Sequence, residues 1–137
     1  MSGRRIAKQR RRADVGIIGG GLAGLSLAYY LSQFHNLKIL VVDDGMPKPD
    51  HIWGFWDNGS PHLEMAREHA ISHWWHWQIA EPGNAHVMRG QDYHYYAVSS
   101  ATYMKALADK CTRANVRFIN GTVMKTSIHE NYTRMLM

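Results

Sequence analysis

Six residues, Gly19-Gly20-Gly21-Leu22-Ala23-Gly24, restrict what this chain can fold into more than any other stretch. They satisfy the spacing G-x-G-x-x-G, which becomes informative when a strand precedes it and a helix follows. Here Asp14-Val-Gly-Ile-Ile-Gly19 reads as a short buried strand, and a helix is expected from about Leu22 to Ser32. Leu25, Ala28, Tyr29 and Leu31 are its packing residues. Lys38-Ile-Leu-Val-Val-Asp43 then reads as a second buried strand. Asp43 ends it 19 residues after Gly24, close to the interval of about 20 residues at which an acid meets a ribose. Asp44 takes that place if the strand runs one residue further. The order predicts an α/β fold with a parallel sheet, a Rossmann-like FAD/NAD(P)-binding domain.

Each glycine has its own reason. Gly19 allows the tight turn out of the strand, Gly21 lets a pyrophosphate approach the backbone, and Gly24 brings helix and sheet together. The free amides of the first helical turn, at Gly21, Leu22 and Ala23, would face the phosphates. A carboxylate at Asp43 disfavours NADP by repelling a 2′-phosphate, but the motif alone does not separate FAD from NAD.

The formal charge of +5 is unevenly placed. Arg4, Arg5, Lys8, Arg10, Arg11 and Arg12 lie in a start without acids, and the remainder has ten basic against eleven acidic residues. Residues 1–13 are expected to form a disordered basic leader: a solvated tail, a tether to an anionic surface, or an RNA-binding arm. No aromatic residue interleaves with the arginines, so no nucleic-acid partner is expected. From Val15 to Leu37 there is no Asp, Glu, Lys or Arg, which superficially resembles a signal sequence or anchor. Five glycines within it argue instead for the nucleotide turn. The single cysteine, Cys111, excludes an intrachain disulfide and fits a reducing, cytoplasmic compartment. It falls towards the end of a helix expected around Tyr103 to Cys111, where a reactive thiolate is disfavoured.

Beyond Asp44 the composition turns aromatic. His51-Ile-Trp-Gly-Phe-Trp-Asp57 holds Trp53, Phe55 and Trp56, and Trp74, Trp75 and Trp77 follow. Together with Asp14 to Ala28, Leu-Val-Val-Asp43 and the Arg89-to-Leu107 stretch, this segment resembles the lycopene cyclase family of flavoproteins over roughly residues 14 to 123. Ile52 replaces the threonine usual there, and Gly54 takes the family's small or serine position.

The resemblance implies FAD as cofactor and a linear carotenoid, a lipid, as substrate, with peripheral contact at a membrane. It implies acid-catalysed ring closure of lycopene end groups without net redox change. Such chemistry needs a proton donor in a water-excluding pocket, and aromatic faces would stabilise a carbocation. Trp53, Phe55 and Trp56 are the candidate pocket residues, with ordinary packing as the alternative for each. No catalytic residue is assigned, because the family's acid motif is expected downstream. Asp57 and Glu64 read as solvated loop acids. The chain therefore reads as the N-terminal portion of such an enzyme, inactive in isolation. It divides into the leader, a partial FAD-binding domain with an aromatic insertion over 14–123, and an irregular tail over 124–137. A fragment of a monooxygenase or halogenase, or a non-catalytic nucleotide-binding remnant, is the alternative.

The remaining chemistry is thin. Gly121-Thr-Val123 is expected to return beside the nucleotide domain, giving Val123 an adenine contact by analogy. His69, His73 and His76 would share a face on a helix, but their aromatic surroundings favour strand, and no metal is assigned. Ser99 and Ser100 lack the setting of a hydrolase nucleophile.

Overall fold

A computed structural model describes residues 11–137 apart from His35, Pro47 and Gln91. Most of the basic leader, residues 1–10, lies outside the described residues. Along the chain run β1 (Val15–Ile18), α1 (Leu22–Ser32), β2 (Ile39–Asp43), β3 (Ile52–Asp57), α2 (Glu64–Glu68), β4 (Ala70–Trp74) and β5 (His76–Glu81). They are followed by β6 (Asn84–Arg89), β7 (His94–Ser99), α3 (Ser100–Arg113), β8 (Arg117–Asn120), β9 (Lys125–His129) and β10 (Tyr132–Leu136). Two compact units result, one of Met1–Gly45 with Lys110–Met137 and one of Met46–Asp109.

The first unit is built on a parallel sheet in the order β1-β2-β8. β2 lies in the middle, and Ile39, Leu40, Val41 and Val42 are all buried. An unbroken apolar run is what a strand covered on both faces requires. Parallel neighbours need a crossover, and α1 supplies it between β1 and β2. Leu25 and Ala28, three apart on α1, are both buried, and Ala28 joins a core of Ile17, Ile39, Val41, Cys111 and Val116. Each isoleucine and valine among them contributes about 1.5–3 kcal/mol when fully buried.

α3 ends where Asn115 takes a left-handed backbone, φ 62°, and the Val116 amide donates to the Cys111 carbonyl at 3.0 Å. Asparagine accepts that conformation more readily than most residues, and it turns the chain into β8. The strand expected near Gly121-Thr-Val123 is thus earlier, at Arg117–Asn120, where the β-branched and aromatic residues Phe118 and Ile119 lie. Val123 follows the strand, half-buried in the connection to β9.

Residues 124–137 are not irregular. They form the antiparallel hairpin β9–β10, in register from Lys125↔Leu136 to His129↔Tyr132. Thr126, Ile128, Tyr132 and Thr133 favour extended backbone, and Glu130-Asn131 closes a two-residue turn. Met135 of this hairpin lies against Gly16, where an added Cβ would overlap its terminal methyl.

Cys111 is fully buried, its Sγ–H directed at the Leu25 carbonyl at 3.6 Å. Burial raises its thiol pKa, which keeps the sulfur protonated and unreactive. A thiol reagent is accordingly expected to modify Cys111 in denaturant within minutes but only through unfolding in native buffer, a difference measurable by mass spectrometry.

The second unit centres on an antiparallel sheet, β3-β7-β4. β3 alternates as a half-buried strand should: Trp53, Phe55 and Asp57 face inward, whereas Ile52, Gly54 and Trp56 face out. Phe55, Tyr96 and His73 are cross-strand neighbours, with ring centroids 5.4 and 5.3 Å apart on either side of Tyr96. The hairpin β5–β6 pairs from His76↔Arg89 to Glu81↔Asn84.

The junction into α3 is fixed by Asp50. Its carboxylate accepts from the Ala101 amide at 2.9 Å and from the hydroxyls of Ser99 and Ser100, each at about 3.0 Å. The Ser99 hydroxyl accepts in turn from the Thr102 amide at 3.2 Å, and that of Ser100 from the His51 amide at 2.8 Å. These two serines tie the start of α3 to Asp50 and His51. The Ala101 amide first, and the two hydroxyls next, hold Asp50 below the usual carboxylate range. Because the folded pKa is depressed, the resulting stability is present at neutral pH and is lost as pH falls through the folded value. Asp50→Asn is therefore expected to lower the melting temperature at pH 7 and to make no difference in strong acid.

Candidate functional site

β1 delivers the glycine turn to the end of the parallel sheet. Gly19 has φ +100°, which side chains other than hydrogen rarely adopt, and its amide donates to the Val42 carbonyl at 2.8 Å. Gly24 sits where α1 presses on the turn, and a Cβ there would overlap the carbonyl oxygen of Gly19. Backbone conformation demands glycine at position 19, and packing demands it at position 24.

Gly21 is different. It is the N-cap of α1 with an extended backbone, φ −75° and ψ −172°, and a Cβ added to it meets nothing within 4 Å. Sterics within the protein do not require glycine here. What its missing side chain leaves is open space in front of the first turn of α1. No side chain caps that turn and no acid lies in it. The amides of Leu22, Ala23 and Gly24 precede the helical ladder, which starts with Leu25 donating to the Gly21 carbonyl at 2.9 Å. Leu22 and Ala23 are exposed. Amide donors, a positive dipole end and open space together make a cradle for an anion carried by a larger molecule.

Asp43 ends β2 beside this cradle. Its Oδ2 accepts from the Gly20 amide at 2.6 Å and its Oδ1 from the Gly45 amide at 3.0 Å. The carboxylate thus orders the turn from the neighbouring strand. Asp44 is exposed one residue past the strand.

The aromatic candidates do not act as one set. Trp53 and Phe55 occupy the inward face of β3, whereas Trp56 is 46% exposed on the opposite face. There Trp56 meets Tyr95 at 4.7 Å and Trp77 at 5.1 Å between ring centroids. Within this unit Trp56, Trp77, Arg89 and Tyr93 line a cleft of about 660 Å³. Trp77, Arg89 and Tyr93 were not legible as partners of Trp56, because β5, β6 and β7 bring them together from far along the chain. Asp57 is not a solvated loop acid: it ends β3, is 9% exposed and receives the Arg67 guanidinium at 2.7 Å. Glu64 is exposed at the start of α2. The three histidines do not share a helical face. His69 ends α2, His73 stacks on Tyr96 in β4, and His76 begins β5.

A parallel α/β sheet, a glycine turn entering a helix, and an acid closing the second strand define a dinucleotide-binding unit of Rossmann type. Solved structures agree on the fold. CtdE in complex with FAD and a substrate superposes with a TM-score of 0.69 at 17% identity, over 91% of this chain and 34% of that one. The flavin-dependent brominase Bmp2 gives 0.63 at 15% identity, over 90% and 35%. The oxygenase acting on 2-methyl-3-hydroxypyridine-5-carboxylic acid gives 0.66 at 16% identity, over 85% and 33%.

The chain belongs to the lycopene cyclase family, whose model, described as lycopene cyclase protein, matches residues 14–137. A curated relative in Acanthamoeba polyphaga mimivirus, described as a truncated, inactive GMC-type oxidoreductase (L894), is 34% identical over 105 residues. The match covers 69% of this chain and 23% of that protein, so the chain spans about a quarter of the curated relative and a third of the solved neighbours.

Proposed function

We propose that the first unit binds FAD and that the chain serves as the FAD-binding part of a lycopene-cyclase-type enzyme. The observation that carries this reading is the uncapped, acid-free start of α1 facing open space at Gly21. The diphosphate would take the amides of Leu22, Ala23 and Gly24. Asp43 would place its carboxylate beside the adenosine ribose, and Asp44 lies next to it. Val123 remains a candidate adenine contact in the connection after β8. When bound, the reduced flavin supplies an electron-rich face to a cationic polyene, with no net oxidation of substrate.

For the substrate we propose a linear carotenoid undergoing end-group cyclisation, with family membership as the support. Trp56, exposed in its cleft, is the ring able to meet such a ligand, whereas Trp53 and Phe55 support it from the inward face. Asp57 is committed to Arg67 and is not proposed as the proton donor.

FAD titrated into the purified chain should lose fluorescence as the flavin is taken up, and ADP should compete. Failure of both ligands to bind a folded chain would refute the assignment. Binding of NAD in preference to FAD would replace the cofactor and leave the cradle intact.

A further inference from the structure

The cleft of the second unit is not lined as a purely apolar site would be. The hairpin β5–β6 exposes every residue except Trp77, which is half-buried and meets the Trp56 ring of β3. One indole thus anchors the hairpin to the neighbouring sheet. At the open end of the hairpin the Gly90 amide donates to the Trp75 carbonyl at 2.7 Å. A Cβ added to Gly90 would overlap the Tyr93 carbonyl oxygen, so the chain folds back tightly after Arg89 and brings Tyr93 to the same cleft. Trp56, Trp77 and Tyr93 form its flat walls, and Arg89 and Asp92 supply its charges.

Two donors in this cleft have no partner among the described residues. Nε1 of Trp77 is buried without an acceptor, a state that buried donors rarely keep. The Arg89 guanidinium makes neither a hydrogen bond nor an ion pair among the described residues, although Asp92 lines the same cleft. The two charges therefore do not neutralise one another. With about 660 Å³, the cleft has the size of a small-molecule site, for which roughly 300–1,000 Å³ is usual.

Aromatic walls accept the carbons of a conjugated chain. A guanidinium offers paired N–H groups that match the two oxygens of a carboxylate. A hydrocarbon laid in the cleft would use the rings alone; it would leave both donors unanswered and strip water from the cation where it covers it. Asp92 repels a second negative charge, which limits the ligand to one acid group.

We propose that the cleft between β3 and the β5–β6 hairpin binds a conjugated chain ending in a single carboxylate, with Arg89 as the residue that selects the acid end. This rests on the reading that the cleft meets a conjugated ligand, and adds the end group to it. It does not depend on FAD, which concerns the first unit.

The test is tryptophan fluorescence of the full chain titrated with all-trans-retinoic acid and with all-trans-retinol, in mildly alkaline buffer where the acid is ionised. Both polyenes absorb where tryptophan emits, so either one quenches when bound. Retinoate is expected to bind about tenfold or more tightly than retinol, and the preference to shrink as salt rises. Arg89→Gln should abolish the preference and leave retinol affinity unchanged, whereas Arg89→Lys should retain part of it. Trp56→Leu should weaken both ligands about tenfold, because both lose the same ring. Lys125→Gln, an exposed cation of the β9–β10 hairpin, should change nothing. Arg89 is exposed, so its variants keep the packing intact and carry the test if Trp56→Leu fails to fold.

Retinol bound as tightly as retinoate would overturn the acid-end assignment and leave the conjugated-ligand reading standing. A folded chain that takes up neither polyene would overturn both. A preference that survives Arg89→Gln, or that falls equally with Lys125→Gln, would show that the carboxylate is not read in this cleft.

Discussion

Gly24→Val is expected to cost roughly 3 kcal/mol or more of stability, enough to bring a domain of ordinary stability close to unfolding. The cause is local and rigid. A Cβ at Gly24 overlaps the carbonyl oxygen of Gly19 and approaches Ile17 Cγ2 to 3.3 Å. Neither the backbone of the turn nor the buried Ile17 can retreat without separating α1 from the sheet. Gly19 itself stands at φ +100°, so its peptide has little freedom to rotate away. Urea denaturation followed by circular dichroism should show a midpoint displaced far below that of the unaltered chain. A displacement of only a few tenths of a kcal/mol would mean that helix and turn are looser than described.

Gly21→Val should do the reverse. Valine tolerates the extended backbone found there, and its side chain projects into open space, so the denaturation midpoint should hardly move. The same side chain would occupy the place where a diphosphate must approach the amides of Leu22 and Ala23. FAD affinity should fall by roughly a hundredfold, about 3 kcal/mol. The pair would separate folding from binding: Gly24 is required by packing, and Gly21 is proposed to be required by the ligand. If Gly21→Val binds FAD as tightly as the unaltered chain, the diphosphate does not sit at this turn.

The nucleotide-binding half was readable because its signals are short-range. β1, the turn, α1 and β2 follow one another within about 30 residues, as the fingerprint requires, and α1 runs from Leu22 to Ser32 as its apolar pattern indicates. The aromatic half was less readable because its organisation lies in pairings between distant segments. Trp56 belongs beside Tyr95, and His73 beside Tyr96, through a sheet whose order β3-β7-β4 no local pattern specifies. The period-2 alternation of Trp53, Phe55 and Asp57 was present in the sequence, and it separates Trp53 and Phe55 from Trp56. It also moves Asp57 from a loop to a buried strand end, where the Arg67 guanidinium, ten residues later, and the Gly59 amide make its charge tolerable.

The tail shows a different failure. Lys125 to Leu136 has ordinary β-forming residues and a two-residue turn at Glu130-Asn131, but lacks the Asn-Gly or Asp-Gly pair that marks a hairpin most clearly. The strand expected at Gly121-Thr-Val123 lies earlier for a related reason. β-branched residues flank Gly121 on both sides, and only pairing with β2 decides that Arg117–Asn120 is the strand.

The most direct test follows backbone amide signals of the isotope-labelled chain by NMR while FAD is added. The amides of Gly20 to Gly24 and of Asp43 are expected to move first and furthest, while those of the β5–β6 hairpin stay in place. Shifts confined to Met46–Asp109, or a turn whose amides remain unchanged at saturating FAD, would contradict FAD binding at the glycine turn.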